Sequence, residues 1–241
     1  MCVSLTLYAI LSKYINNIKA TVVAARSLPK AKQFANEHSI PNFTNSYNDL
    51  LTDPNVDVVY IGTIADHHYE WTKESILAGK ATVVEKPMTL TYDSTRELIQ
   101  LANARNVFLM EGMWTRCFPA MHKLRQLLSS KNENIGDVIY CQGDFGWAFP
   151  TTYTKEDRIW LANSGGVTLD IGMYIAQLGQ IAFPNCTVKN VQATGTVKNG
   201  VDYTVMATIT YDRSTNSNDS SSRVGDGMLQ MAITGAANTE E

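Results

Sequence analysis

Three groups of residues could carry chemistry. The first is Glu85-Lys86-Pro87, directly after the apolar run Ala81 to Val84. A lysine at a strand's carboxyl end can hold a substrate oxygen, and its charge lowers the proton affinity of a neighbouring acid. The second is the segment Gly165-Gly166-Val167-Thr168-Leu169-Asp170-Ile171-Gly172-Met173-Tyr174. Asp170 and Tyr174 stand four residues apart, so a helix would place them on one face. Reduction of a carbonyl needs a proton donor, and the reverse reaction needs a base. A tyrosine, with an ordinary pKa of about 10, can serve if a nearby cation lowers that value, and Lys86 is the candidate cation. The third is Arg26-Ser27, which closes the run Ala20 to Ala25. An acidic residue there would bind adenosine ribose hydroxyls, whereas an arginine suits a 2′-phosphate and so points to NADP. Each group has an ordinary alternative: a strand-end surface lysine, a core tyrosine behind a helix N-terminal carboxylate, and a solvated arginine.

These residues need elements to position them. Strand-type runs at Ala20–Ala25, Val56–Ile61, Ala81–Val84 and Val107–Met110 alternate with helical stretches. The helices are predicted over Ser27–His38, a short segment opened by Ser46 with Asp49 three residues on, Asp66–Ala78 with Gly79 as its stop, and Thr91–Asn106. Leu7, Leu11, Tyr14 and Ile18 read as a further amphipathic helix at the start. Short links between strand and helix favour right-handed βαβ units and a parallel sheet. After about residue 115 the pattern changes. A helix over Ala120–Ser129 precedes longer alternating strands at Val138–Phe145, Thr187–Val197, Tyr203–Tyr211 and Met228–Thr234, with a helix around Leu169–Ile181 among them. Asp212–Gly227 reads as a polar loop. The expected architecture is a Rossmann-like α/β domain over residues 1–114. An α+β domain with a large, mostly antiparallel open sheet follows over residues 115–241.

The chain has 241 residues, long enough for two domains, with 20 basic and 23 acidic side chains. A net charge of −3 offers no basic excess for a phosphate backbone, so nucleic-acid binding is not expected. Cys2, Cys117, Cys141 and Cys186 form no Cys-x-x-Cys pair, which leaves a zinc site unsupported and suits free thiols in a reducing cytoplasm. The early apolar run Leu5–Leu11 is too short to span a bilayer. No glycine precedes Gly62. The glycine-rich turn that normally carries a pyrophosphate after a first strand is therefore missing, and a chain truncated at both ends is expected.

Together these segments resemble the Gfo/Idh/MocA oxidoreductase family, and within it the dimeric dihydrodiol dehydrogenases, also described as NADP-dependent D-xylose dehydrogenases. The resemblance runs from about Thr21 to Tyr211. It rests on Ala24-Ala25-Arg26-Ser27, Ser46-Tyr47, Asp53-Pro54-Asn55-Val56, Gly62-Thr63, Ala78-Gly79-Lys80, Glu85-Lys86-Pro87-Met88, Phe108-Leu109-Met110-Glu111, Trp114-Thr115-Arg116, Phe118-Pro119 and Asp170 to Tyr174.

The resemblance implies an NADP-dependent oxidoreductase acting on CH–OH groups of a trans-dihydrodiol or of an aldose such as D-xylose. It makes Lys86 the catalytic lysine, Tyr174 the proton donor or acceptor, and Asp170 a binder of substrate hydroxyls. It assigns Arg26, Ser27, Thr63, His68, Glu85 and Pro87 to the cofactor, with a cis peptide bond before Pro87. Trp114, Arg116 and Phe145 would wall the substrate pocket. It also implies a homodimer formed through the C-terminal sheet. The alternative is a catalytically inactive family member that pairs with a complete subunit.

Overall fold

The computed structural model describes residues 18–129, 136–149, 154, 157–213 and 226–235. The expected first helix at Leu7, Leu11 and Tyr14 lies outside the described residues, as do residues 214–225 of the polar loop. The chain divides into two compact units, Met1–Gly112 and Met113–Glu241.

In the first unit, β1 (Val22–Ala24) pairs in parallel with β2 (Asn42–Thr44). A second parallel sheet has the order β3 (Val58–Ile61), β4 (Ala81–Val84), β5 (Leu109–Glu111). Helices α1 (Leu28–Glu37), α2 (Tyr47–Thr52), α3 (His68–Leu77) and α4 (Tyr92–Arg105) connect them. Their ends follow the local chemistry. Pro29 occupies the first turn of α1, where its missing N–H costs nothing. Thr91 caps α4 by accepting from Ser94 N–H. Ser46 accepts from Asp49 N–H at 3.1 Å, as the sequence predicts. The carboxylate of Asp49, however, turns to the Thr44 hydroxyl, which in turn accepts from Ser46 N–H at 3.0 Å, so the box closes through a third residue. Val22 packs with Leu51, Val56, Val59, Ile61 and Val84, so both small sheets share one core. Burying a side chain of this size contributes about 1.5–3 kcal/mol.

One boundary departs from expectation. The run predicted as strand from Val107 becomes β5 only at Leu109. Asn106 ends α4 in the left-handed conformation, and Val107 N–H returns 2.9 Å to the Ala102 carbonyl. That helix-closing bond takes the donor a strand would use.

The second unit opens with a 3₁₀ turn, Trp114–Cys117, and α5 (Pro119–Ser129). Its sheet has the order β6 (Tyr140–Gly146), β9 (Gly227–Thr234), β8 (Val201–Asp212), β7 (Thr187–Lys198). The pairings β8–β7 and β9–β8 are antiparallel and β6–β9 is parallel, so the sheet is mixed and mostly antiparallel. Helix α6 (Met173–Ala182) covers one face. Val167, Ile171 and Ile175 form a core there with Leu229, Met231 and Ile233. The opposite face leaves Tyr140, Met206 and Met228 exposed. The helix predicted from Leu169 begins instead as a π turn over Thr168–Gly172 and becomes α-helical at Met173. Among the described residues, no helix is long and apolar enough to cross a membrane.

Candidate active site

The first unit gathers its polar residues beyond the carboxyl ends of parallel strands, where open α/β sheets bind ligands. Arg26 and Ser27 follow β1. Arg26 is exposed, and Ser27 opens α1 without using its hydroxyl as a cap. Gly62 and Thr63 follow β3, and Glu85, Lys86 and Pro87 follow β4. The Lys86–Pro87 peptide is cis.

The turn after β4 is held from several sides. Glu85 N–H donates to the Ile61 carbonyl at 2.9 Å. The Glu85 carboxylate accepts from the Tyr60 hydroxyl and from Lys86 N–H. Met88 N–H donates to Glu111 Oε1 at 2.8 Å. His68 is 1% exposed, and its ring nitrogens lie 2.7 Å from the Pro87 carbonyl and 3.0 Å from the Thr63 carbonyl. The His68 ring thus lies between the β3 and β4 turns, with one nitrogen against a carbonyl of each. Thr63 Oγ1 is buried and has no hydrogen-bond partner among the described residues. A buried hydroxyl in that state fits a polar ligand lying across the strand ends.

In the second unit, the residues meet around α6. Tyr174, in its first turn, accepts from the indole N–H of Trp114 at 2.7 Å. Gln177 Nε2 donates to Thr115 Oγ1 at 2.5 Å, and Arg116 Nη1 donates to Gln180 Oε1 at 3.2 Å. Three consecutive residues of the 3₁₀ turn are thus laced to helix positions three apart, which share one face. The Phe145 ring lies 5.8 Å from that of Tyr174, and the Trp114 ring lies 6.2 Å from it, edge-on. Phe145 reaches it because alternate residues of β6 face the helix.

The structure therefore brings Trp114, Phe145 and Tyr174 together. Arg116 is engaged by Gln180, six residues beyond Tyr174 on the same helix. Asp170 turns to Arg158, whose Nη1 donates to Oδ1 at 2.5 Å, and its side chain is only 15% exposed. Trp114 is 53% exposed although its N–H is bonded.

Sequence reading missed Tyr60, Glu111, Arg158 and Gln177. A signal existed for Gln177, a polar residue at a helical core position among Ile175, Leu178 and Ile181, and it is 5% exposed. Nothing local singled out the others. Among the described residues, no group of three His, Cys, Asp or Glu side chains could hold a metal ion.

Comparison with known proteins gives two family matches. Residues 8–113 match the model of an oxidoreductase family with an NAD-binding Rossmann fold, and residues 121–239 match the GFO/IDH/MocA C-terminal domain. The chain is 38% identical over 194 residues to a trans-1,2-dihydrobenzene-1,2-diol dehydrogenase of Sus scrofa, covering 80% of this chain and 56% of the relative. It is 37% identical over 194 residues to the protein of the same name from Homo sapiens, covering 80% and 57%. The chain thus spans about half the length of the curated relatives it matches. Among solved structures, GenD2 from gentamicin A biosynthesis in complex with NAD superposes with a TM-score of 0.80 at 20% identity, covering 97% of this chain and 63% of that one. A levoglucosan dehydrogenase in complex with NADH and levoglucosan gives 0.79 at 18% identity, covering 96% and 63%. At these identities the likeness shows the shared fold.

Proposed function

Because the chain belongs to the Gfo/Idh/MocA oxidoreductase family, we propose that it serves an NADP-dependent oxidation of a CH–OH group, with a trans-dihydrodiol as substrate. The observation that carries this reading is Tyr174: a half-buried phenol whose oxygen accepts the Trp114 N–H beside the Phe145 ring. A fixed phenol oxygen beside exposed indole surface suits proton exchange with a hydroxyl on an unsaturated ring. The resemblance to named diol dehydrogenases supports the substrate class.

NADP, when bound, would supply acceptance of a hydride from the carbinol carbon. The chain's residues do the rest. Tyr174 takes the hydroxyl proton as the carbonyl forms. Asp170, oriented by Arg158, accepts a hydrogen bond from the second hydroxyl. Toward the cofactor, Thr63 offers a buried hydroxyl with no hydrogen-bond partner among the described residues, and Arg26 and Ser27, directly after β1, support a preference for NADP over NAD. The turn held by Glu85, His68 and Pro87 would shape the nicotinamide end. In this reading the first unit is the dinucleotide-binding domain and the second the substrate and dimerisation domain. The exposed apolar residues Tyr140, Met206 and Met228 support a homodimer through the open sheet face. Among the described residues, Cys117, Cys141 and Cys186 form no disulfide, which supports placing the protein in the cytoplasm.

A fluorescence titration of the purified chain with NADPH and NADH tests the cofactor assignment. The expected result is saturable binding near roughly micromolar NADPH, weaker binding of NADH, and loss of the preference in Arg26→Ala. Equal affinities, or no binding of either, would contradict it.

A further inference from the structure

The first turn of a helix leaves N–H groups that no helical carbonyl can reach. For the helical segment bearing Asp170 and Tyr174, the residue in the capping position is Val167, which has no side chain to accept them. The acceptor comes from the sheet. Asp202 of β8 takes Thr168 N–H and the Thr168 hydroxyl on one oxygen, each at 2.7 Å, across 34 residues of sequence.

We propose that Asp202 is a positioning residue for the reaction: its carboxylate fixes the π turn Thr168–Gly172, and through it Asp170 and Tyr174. The proposal rests on the dehydrogenase reading given above and adds to it a residue that touches neither substrate nor cofactor.

Three features build this arrangement. Asn199 and Gly200, both at positive φ, form the two-residue turn between β7 and β8. Next to that turn the register slips. Val197 pairs with Asp202, but Thr196 pairs with Thr204, so β8 carries one extra residue. Such a bulge re-aims side chains, and here Asp202 reaches the helix start. Gly166, at φ +91°, completes the fit: a Cβ there would lie 2.0 Å from Asp202 Oδ1. A carboxylate at a helix N-terminus is also favoured by the helix dipole. Irregular π turns recur at functional sites. Asp202 holds its first residue, Thr168, from outside the helix, and Asp170 follows two residues on.

Hydrogen exchange on the full chain, with steady-state kinetics beside it, tests the proposal. In Asp202→Ala, amides of residues 168–174 are expected to exchange roughly tenfold faster, the loss of one cap, while those of β9 are unchanged. The same variant should raise KM for the diol and lower kcat, with the dissociation constant for NADPH unaltered. Asp202→Asn keeps an oxygen acceptor and should recover most of both effects. If Asp202→Ala does not fold, Thr168→Val removes one of the two donors and should show the same pattern more weakly. Unaltered exchange over residues 168–174, or faster exchange with unchanged KM and kcat, would overturn the proposal. A wild-type chain that binds NADPH but oxidises no diol would contradict the dehydrogenase reading and the catalytic role of Asp202 with it. The exchange data alone would then still decide whether Asp202 anchors the turn.

Discussion

The indole N–H of Trp114 donates to the phenol oxygen of Tyr174 at 2.7 Å. It is the first rung of a ladder in which Thr115 meets Gln177 and Arg116 meets Gln180. One consequence is electrostatic. The donor stabilises negative charge that builds on the phenol oxygen as its proton leaves. The other is geometric, since the ring of Tyr174 is held from outside the helix that carries it.

Trp114→Phe tests the first consequence. It keeps an aromatic ring beside Phe118, whose centroid lies 5.1 Å from that of the indole, and removes the donor together with part of the indole's area. A hydrogen bond to a charged group contributes about 1.5–3 kcal/mol. The kcat of diol oxidation should fall roughly tenfold or more, with the dissociation constant for NADPH unchanged. Steady-state kinetics and a binding titration measure the two. An unchanged kcat would remove Trp114 from the electrostatics of Tyr174.

The Arg158–Asp170 pair predicts a modest effect. Arg158 is 55% exposed, so solvent screens the interaction. Exposed pairs contribute about 0.2–1 kcal/mol. Arg158→Met should raise KM for the diol by a factor of about two to five, with kcat nearly unchanged. In an Asp170→Asn background the same substitution should have no further effect. Additive losses in that double-mutant cycle would mean that Arg158 acts elsewhere.

Much of the fold was legible because its signals are local. Ser46, Pro29, Gly79 and Thr91 each mark a helix end within a few residues of the bond they make or spare. Lys86 and Tyr174 stood out for the same reason, a reactive residue type at a strand end or on a helix face. The partners that hold the site were not legible. Asp202 lies 34 residues from Thr168, and Trp114 lies 60 residues from Tyr174. No spacing rule reports such pairs, because they depend on how the sheet and helix pack. The π turn was hidden similarly: Thr168–Gly172 reads as ordinary helix, and an anchor on β8 accompanies its different winding.

Two glycines separate steric from conformational cost. A Cβ on Gly165 would lie 2.3 Å from the Ile159 carbonyl oxygen, a backbone atom that cannot swing away. Gly165→Ala should destabilise the chain by about 3 kcal/mol. A Cβ on Gly79 would meet nothing within 4 Å, but its φ is +74°. Gly79→Ala should cost only about 1–2 kcal/mol. Urea denaturation of both variants ranks them, and the reverse order would contradict the packing described around Gly165.

On the surface of the first unit, Glu97 accepts from the Tyr69 hydroxyl and from Lys73. These bonds hold its carboxyl below the usual value of 4.5 and push Lys73 up to about 12. The Glu97 contribution is present above its unfolded pKa and lost as pH falls through the lower folded value. The Lys73 contribution is present below 10.5 and lost as pH climbs through about 12. Glu97→Gln should therefore lower the urea midpoint slightly at neutral pH and leave it unchanged at about pH 3. An equal loss at both would mean that packing, not charge, is what the substitution removes.

The central claim is that Tyr174 exchanges the proton in an NADP-dependent diol oxidation. Oxidation of trans-1,2-dihydrobenzene-1,2-diol by the wild-type chain and by Tyr174→Phe, each with NADP and with NAD, tests it most directly. The predicted result is turnover by the wild type that prefers NADP, with a loss of roughly a hundredfold or more in kcat for Tyr174→Phe and no change in NADPH affinity. Undiminished turnover in Tyr174→Phe, or a wild type that binds NADPH and oxidises nothing, would contradict it.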